Sequence, residues 1–276
     1  MRMEAMEHAA VEGTAVSPSN TAPTLMVDVV FPEQMNHHGT LFGGAALALM
    51  DKLAFLVATR ETRCPMVTAS SGHIDFHRPI PQGRLVELSG QVLRRGRRSV
   101  EVQVDLTAED LTSGVKETSA SARFVLVAVD GPATIAPPDD ESFASLAGIG
   151  DITHMVEMVF PGHTNHHGTL FGGQALAWLG KAAMVAASRH CRLPVVMAAS
   201  ERVDFHAPVL EGEIADLAAR VVSVGNSAMT VEVLMHAEAL LTGQRRLCTR
   251  GRFTMVAVGY DGRPVPIARP LGRRLG

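Results

Sequence analysis

Asp51, beside Lys52, interrupts a long apolar run. Residues 45–58 read Ala-Ala-Leu-Ala-Leu-Met-Asp-Lys-Leu-Ala-Phe-Leu-Val-Ala, a run that suits a helix apolar on nearly every side. A carboxylate inside such a run is costly to bury unless it is paired or put to use. Just before the run lies Asn-His-His-Gly-Thr-Leu-Phe-Gly-Gly, residues 36–44, and the same nine letters recur at 165–173. Each copy is a polar loop ending in a glycine pair at a helix start. Glycines there allow close approach of a ligand or a second backbone. The first N–H groups of the helix lack internal partners, and the dipole favours negative charge beside them. A buried carboxylate and a donor-rich helix start are parts suited to general-base chemistry on a carbonyl.

The nine-residue identity signals a duplication. Landmarks of the first half return 129 positions later without a gap. Phe31-Pro32 becomes Phe160-Pro161, Asp75-Phe76-His77 becomes Asp204-Phe205-His206, Gly96 becomes Gly225, and Arg123-Phe124 becomes Arg252-Phe253. Two gapless copies predict two equal folds about a pseudo-twofold axis. Each copy reads as a strand (25–30 in the first), the polar loop, a helix over 44–59, and strands over 73–77, 84–94, 100–106 and 117–129. Apolar and polar residues alternate in 100–106 as a strand requires. The expected division is a disordered tail over 1–21, one unit over 22–130, a Pro- and Gly-rich linker over 131–150, a second unit over 151–259, and a basic tail over 260–276. A helix apolar all round must be buried, so each sheet is expected to wrap around its own central helix. This is an α+β chain.

Composition narrows the functional classes. The formal net charge is −3, which argues against nucleic acid as a partner. Arg94-Arg95-Gly96-Arg97-Arg98 is the strongest basic run, but the chain has one Trp and one Tyr and so lacks the aromatic interleaving of a single-strand binder. Cys64, Cys191 and Cys248 follow no metal or redox spacing, and an odd count fits a reducing cytoplasm. No uncharged apolar run reaches the roughly 20 residues of a membrane span. No metal site and no redox cofactor are expected.

The loop with its glycine pair, followed by an apolar helix carrying Asp after Met, resembles the acyl-CoA thioesterase branch of the hotdog fold. Two copies in one chain resemble the double-hotdog acyl-CoA hydrolases, over residues 25–258. The resemblance implies a tandem hotdog fold, two antiparallel sheets each around a central helix. It implies hydrolysis of acyl-CoA to a free acid and CoA, a site between the two hotdogs, and assembly into homo-oligomers, a trimer of such pairs being favoured.

It also implies roles. A helix carboxylate in that family is a general base on water or a nucleophile, and Asp51 matches its position. The equivalent residue in the second copy is Gly180, so the fold manages without the carboxylate. Gly44 and Asp51 lie seven residues, or roughly 10 Å, apart on one helix. One helix therefore cannot provide both carboxylate and carbonyl donors, and the donors are expected from the other copy: Gly172 and Gly173 by their N–H groups, with Asn165 or Thr169 by side chain. The complementary set, Asn36, Thr40, Gly43, Gly44 and Gly180, would form a degenerate site. Arg97, Arg98 and Ser99 are expected to hold CoA phosphates, with His166 and His167 nearby at the substrate. Two other readings are a hotdog hydratase or dehydratase using a loop histidine, and a non-catalytic acyl-CoA-binding or sensing module. His73, Asp75 and His77, with Asp204 and His206, alternate along a strand and share a face; they either line the site or satisfy one another, and the structural role is favoured.

Overall fold

The computed structural model describes residues 22–129 and 146–268; the tail at 1–21, most of the linker and the last eight residues lie outside them. Each unit holds one long helix and six strands. In the first these are β1 (Thr24–Val29), α1 (Gly43–Thr62), β2 (Met66–Ser71), β3 (Ile74–Phe76), β4 (Leu85–Arg95), β5 (Ser99–Glu109) and β6 (Lys116–Ala128). In the second they are β7 (Ile149–Met158), α2 (Gly172–Cys191), β8 (Val195–Ser200), β9 (Val203–Phe205), β10 (Ile214–Val224), β11 (Ala228–Glu238) and β12 (Arg245–Ala257). The sequence reading missed β2 and β8, short strands directly after each helix. It also placed Ile149 and Gly150 in the linker, whereas they open β7.

The two half-sheets join into one antiparallel sheet of twelve strands, ten of them in the order β1-β4-β5-β6-β2-β9-β12-β11-β10-β7, with β3 paired to β6 and β8, and β8 to β12, off that path. The junction is short: β2 pairs with β9 through Ser70 and Ser71, and β3 pairs with β8 through Ile74 and Asp75. β1 and β7 are the free edges. Each half curves around its own helix. Leu47, Met50, Leu53 and Ala54 of α1 and Leu176, Leu179, Ala182 and Ala183 of α2 are fully buried. Both helices stop at a non-glycine residue in the left-handed region, Arg63 (φ 57°) and Arg192 (φ 58°), with a proline two residues on that ends any continuation.

Small residues let α1 and α2 pack backbone to backbone. A Cβ on Gly44 would come within 3.0 Å of the Ala177 Cα, and one on Gly173 within 2.9 Å of the Ala48 Cα. Early residues of one helix thus face later residues of the other, and the helices run antiparallel. That crossing brings the start of α2 alongside Asp51. The segment after β12 is packed, too: Val265 and Ile267 lie against the core of the second unit. The described start of the expected basic tail is therefore part of the fold.

Candidate active site between the two units

Asp51 is fully buried. Its Oδ1 accepts a hydrogen bond from the Thr68 hydroxyl at 2.7 Å. Its Oδ2 makes no well-formed hydrogen bond to the protein and faces the first residue of α2, where a Cβ on Gly172 would sit 3.2 Å away. The same Cβ would lie 3.0 Å from the Thr68 Cβ, so any side chain there would crowd both Thr68 and Asp51. Burial pushes the Asp51 carboxyl up to about 6, against smaller downward effects of the Thr68 hydroxyl and the Gly173 N–H. A carboxylate of that basicity is ionised at pH 7 and still able to take a proton.

Asn165 and Thr169 belong to the loop that leads into α2. One Asn165 Nδ2–H donates to the Thr169 hydroxyl at 2.9 Å, while its Oδ1 accepts the His167 N–H at 2.9 Å and the Thr169 N–H at 3.3 Å. These bonds fix the amide plane and use one of its two side-chain N–H donors. Thr169 is buried behind it. Phe171 caps α2 without any side-chain bond, so the first N–H groups of the helix stay available. The Gly173 N–H also lies near enough to Asp51 to pull its pKa down slightly.

A cavity of about 380 Å³ opens over this group. Thr68, Asn165, His167, Thr169 and Gly172 line it, and Asp51 lies directly behind Thr68 and Gly172. Arg98 and Val129 lie on the same wall as Val67. The structure thus gathers Asp51 with the second loop, across the unit boundary. His167 carries a buried Nε2 without a partner, and burial followed by the neighbouring His166 lowers its pKa. His166 itself is exposed, and its ring lies tilted against those of His167 and Phe55. Of the arginine hairpin, Arg98 reaches the cavity and donates to the Ala128 carbonyl at 3.3 Å. Arg97 is exposed and away from the lining, and Ser99 closes the turn by accepting the Gly96 N–H on its carbonyl. His206, for which the sequence favours a structural role over lining the site, lies on the cavity wall.

Thr68 escaped the sequence reading. A signal was present, because its counterpart in the second copy is Met197, and the exchange accompanies that of Asp51 for Gly180. The twin position shows the consequence. Asn36 and Thr40 repeat the bonding of Asn165 and Thr169, with Asn36 Nδ2 donating to Thr40 at 2.9 Å. Yet Met197 fills the space between Gly43 and Gly180: a Cβ on Gly180 would meet its Cε at 2.7 Å, and one on Gly43 its Sδ at 2.9 Å. Outside, the Val265 N–H binds the Ala257 carbonyl and the Ile267 N–H binds the Asn226 carbonyl, so the C-terminal segment covers the hairpin that matches the arginine turn.

Among the described residues no group of three His, Cys, Asp or Glu side chains could hold a metal, and no helix is long and apolar enough to cross a membrane.

Comparison with known proteins finds acyl-CoA thioesterases and hydrolases among those similar to this chain. The mouse acyl-coenzyme A thioesterase 11 is 29% identical over 91% of this chain, which spans 50% of that protein's length. A crystal structure of an acyl-CoA hydrolase from Agrobacterium tumefaciens is 43% identical over 89% of this chain and 98% of its own, with a TM-score of 0.41. An oleoyl thioesterase structure from Lactobacillus plantarum is 11% identical over 87% of this chain and 98% of its own; its TM-score of 0.59 shows a shared fold. The profile of the thioesterase superfamily matches twice, at 38–115 and 167–243, each time over the loop, the helix and the strands that follow, and together over more than half of the chain. The duplicated loop-and-helix units around one cavity are thus two thioesterase domains, and the chain belongs to the thioesterase superfamily.

Proposed function

We propose that the chain hydrolyses acyl-CoA thioesters to a free acid and CoA, at one working site formed by Asp51, Thr68 and the second loop. The observation that carries this reading is a buried carboxylate, raised to about 6, held beside an uncapped helix start and a fixed asparagine amide. Asn165 takes the thioester oxygen with its second N–H, and Thr169 orients that amide from behind. Asp51 Oδ2, the oxygen left without a full hydrogen bond, accepts a proton from water as the water adds to the carbonyl carbon. Charge gathers on the oxygen held by Asn165. Collapse of the adduct breaks the C–S bond, the CoA thiolate takes a proton, and the acid leaves. Thr68 fixes the carboxylate by its hydrogen bond to Oδ1. Arg98 at the cavity, with Arg97 on the same hairpin, meets the phosphates of CoA.

Two edge strands leave apolar side chains in solvent at equivalent places: Val27 and Phe31 beside β1, Val156 and Phe160 beside β7. These patches support association of double units into a trimer, which light scattering on the purified protein would measure. The three free cysteines favour a reducing compartment, the cytoplasm.

A thiol reagent tests the activity. Wild-type protein should liberate CoA from acyl-CoA, with kcat/KM rising as pH increases through about 6, since the base works deprotonated. Binding of acyl-CoA without thiol release would make the chain a sensing module.

A further inference from the structure

Four residues that line the cavity form one corner of the first unit: Arg98 in the turn between β4 and β5, and Val127, Ala128 and Val129 at the end of β6. Their counterparts 129 positions on are Ser227, Val256, Ala257 and Val258. Ala128 and Val129 are partly exposed, whereas Ala257 and Val258 are buried. The cover is the chain's own return after β12. It turns at 259–262 and runs back antiparallel, with Pro264 opposite Val258. The Val265 N–H donates to the Ala257 carbonyl at 2.9 Å, and the Ile267 N–H donates to the Asn226 carbonyl at 2.7 Å.

The sequence Arg263-Pro264-Val265-Pro266-Ile267 suits a final edge strand. Its prolines have no N–H, and the N–H groups that follow them, those of Val265 and Ile267, are both used on the corner. The Val265 and Ile267 side chains, two residues apart, pack against the core of the second unit. Alternate prolines leave little for a further strand to join. The equivalent carbonyl is used differently in the first unit, where the Arg98 guanidinium donates to the Ala128 carbonyl at 3.3 Å. Ser227 is too short to repeat that bond, and the returning strand takes the carbonyl in its place.

We propose that residues 263–267 are an internal occupant of a second CoA site, and that they hold it closed so that each chain takes one CoA. The proposal rests on the thioesterase reading, under which the first-unit corner borders bound CoA. Two changes on the second corner point the same way. Asn226 and Ser227 stand where Arg97 and Arg98 stand, so the phosphate-binding charge is gone. Met197 fills the place of Thr68. The return is a third barrier, and it alone covers backbone whose first-unit copy borders the cavity.

The test counts CoA bound per chain by titration calorimetry. Wild type should bind one. Asn226→Arg, Ser227→Arg and Met197→Thr together restore the charge and the space of the first unit; with the return in place, this variant should still bind one. Adding Val265→Asp and Ile267→Asp, which expel the return from the core, should raise the count to two. If those aspartates unfold the second unit, a protease site placed at the exposed Tyr260 and Asp261, and cut in the folded protein, frees the segment instead. A second CoA with the return in place, or a single CoA after its release from a folded protein, would overturn the proposal. In an otherwise wild-type chain, Val265→Asp with Ile267→Asp should leave thioester hydrolysis within about threefold. A larger loss without a change in melting would move the segment's role to the working site and overturn the proposal as well. No CoA bound by wild type would overturn the thioesterase reading itself, an outcome distinct from a count that stays at one.

Discussion

The two inter-unit sites are copies in their loops and differ at the helix carboxylate and its hydrogen-bond partner, among other positions. In one, Asp51 and Thr68 form a hydrogen-bonded polar pair against Gly172. In the other, Gly180 and Met197 occupy the equivalent places, and the thioether fills the space against Gly43. Methionine is a flexible gap-filler, suited to a hollow left by a lost carboxylate. The loops are unchanged in sequence and in internal bonding, since Asn36–Thr40 and Asn165–Thr169 match bond for bond. The fold therefore requires the loops and the glycine pairs, whereas it tolerates either a polar or an apolar pair at the helix. Under the proposed function, chemistry rather than architecture explains the carboxylate at the polar one.

The strongest way to break the comparison is Asp51→Asn. It should lower kcat by about 10²–10⁴-fold, the usual contribution of a positioned base, and leave melting at pH 7 unchanged or raised. Normal turnover, or loss of the folded state, would contradict the assignment. Thr68→Val comes next, with an expected loss of roughly tenfold in kcat. Its hydroxyl lowers the Asp51 pKa, so removing it should carry the acid limb of kcat/KM above the wild-type value of about 6. A limb that stays in place would make Thr68 a packing residue only.

A smaller effect is expected from rebuilding the silent half. Gly180→Asp alone meets Met197 and should give nothing. Paired with Met197→Thr in an Asp51→Asn background, it should restore a few per cent of turnover at most, about the level left by a poorly oriented base. Full restoration would show that the C-terminal cover at Ala257 and Asn226 does not limit that mouth.

The smallest effect is on stability. The folded-state pKa of Asp51, about 6, lies above the model value of 3.8, so the folded protein binds the proton more tightly than the unfolded chain. That proton-linked stability is fully present below about 3.8 and is lost as pH rises to about 6, on the order of 3 kcal/mol in all. Asp51→Asn should flatten this part of the denaturation profile between the two pH values. An unchanged slope would show that the carboxyl is not raised.

Much of this was legible in the letters. The repeat of nine residues revealed the duplication, the apolar run revealed the buried helix, and the exchange of Asp51 for Gly180 pointed to a single site across the unit boundary. Thr68 was not found, because it sits in a six-residue strand of small and apolar residues that has no distinctive alternation. Its partnership with Asp51 arises only where β2 crosses the helix. The junction of the half-sheets was hidden for a related reason: it depends on Ser70 and Ser71 meeting Asp204 and Val203, pairs distant in sequence. Ile267 carries no local mark of its burial in the second unit, and the strand alternation at His206 left lining the site and a structural role both open. Each depends on where the chain returns.

The claim that one loop works and the other supports the fold is tested most directly by a matched pair of substitutions. Asn165→Ala and Asn36→Ala remove the same side chain from identical local bonding, so any structural cost is shared. Steady-state thioester hydrolysis by Asn165→Ala should fall by about 10²–10³-fold, the loss typical of one oxyanion donor, while Asn36→Ala should stay within about threefold of wild type. Equal losses in both variants, or a larger loss at Asn36, would contradict the account.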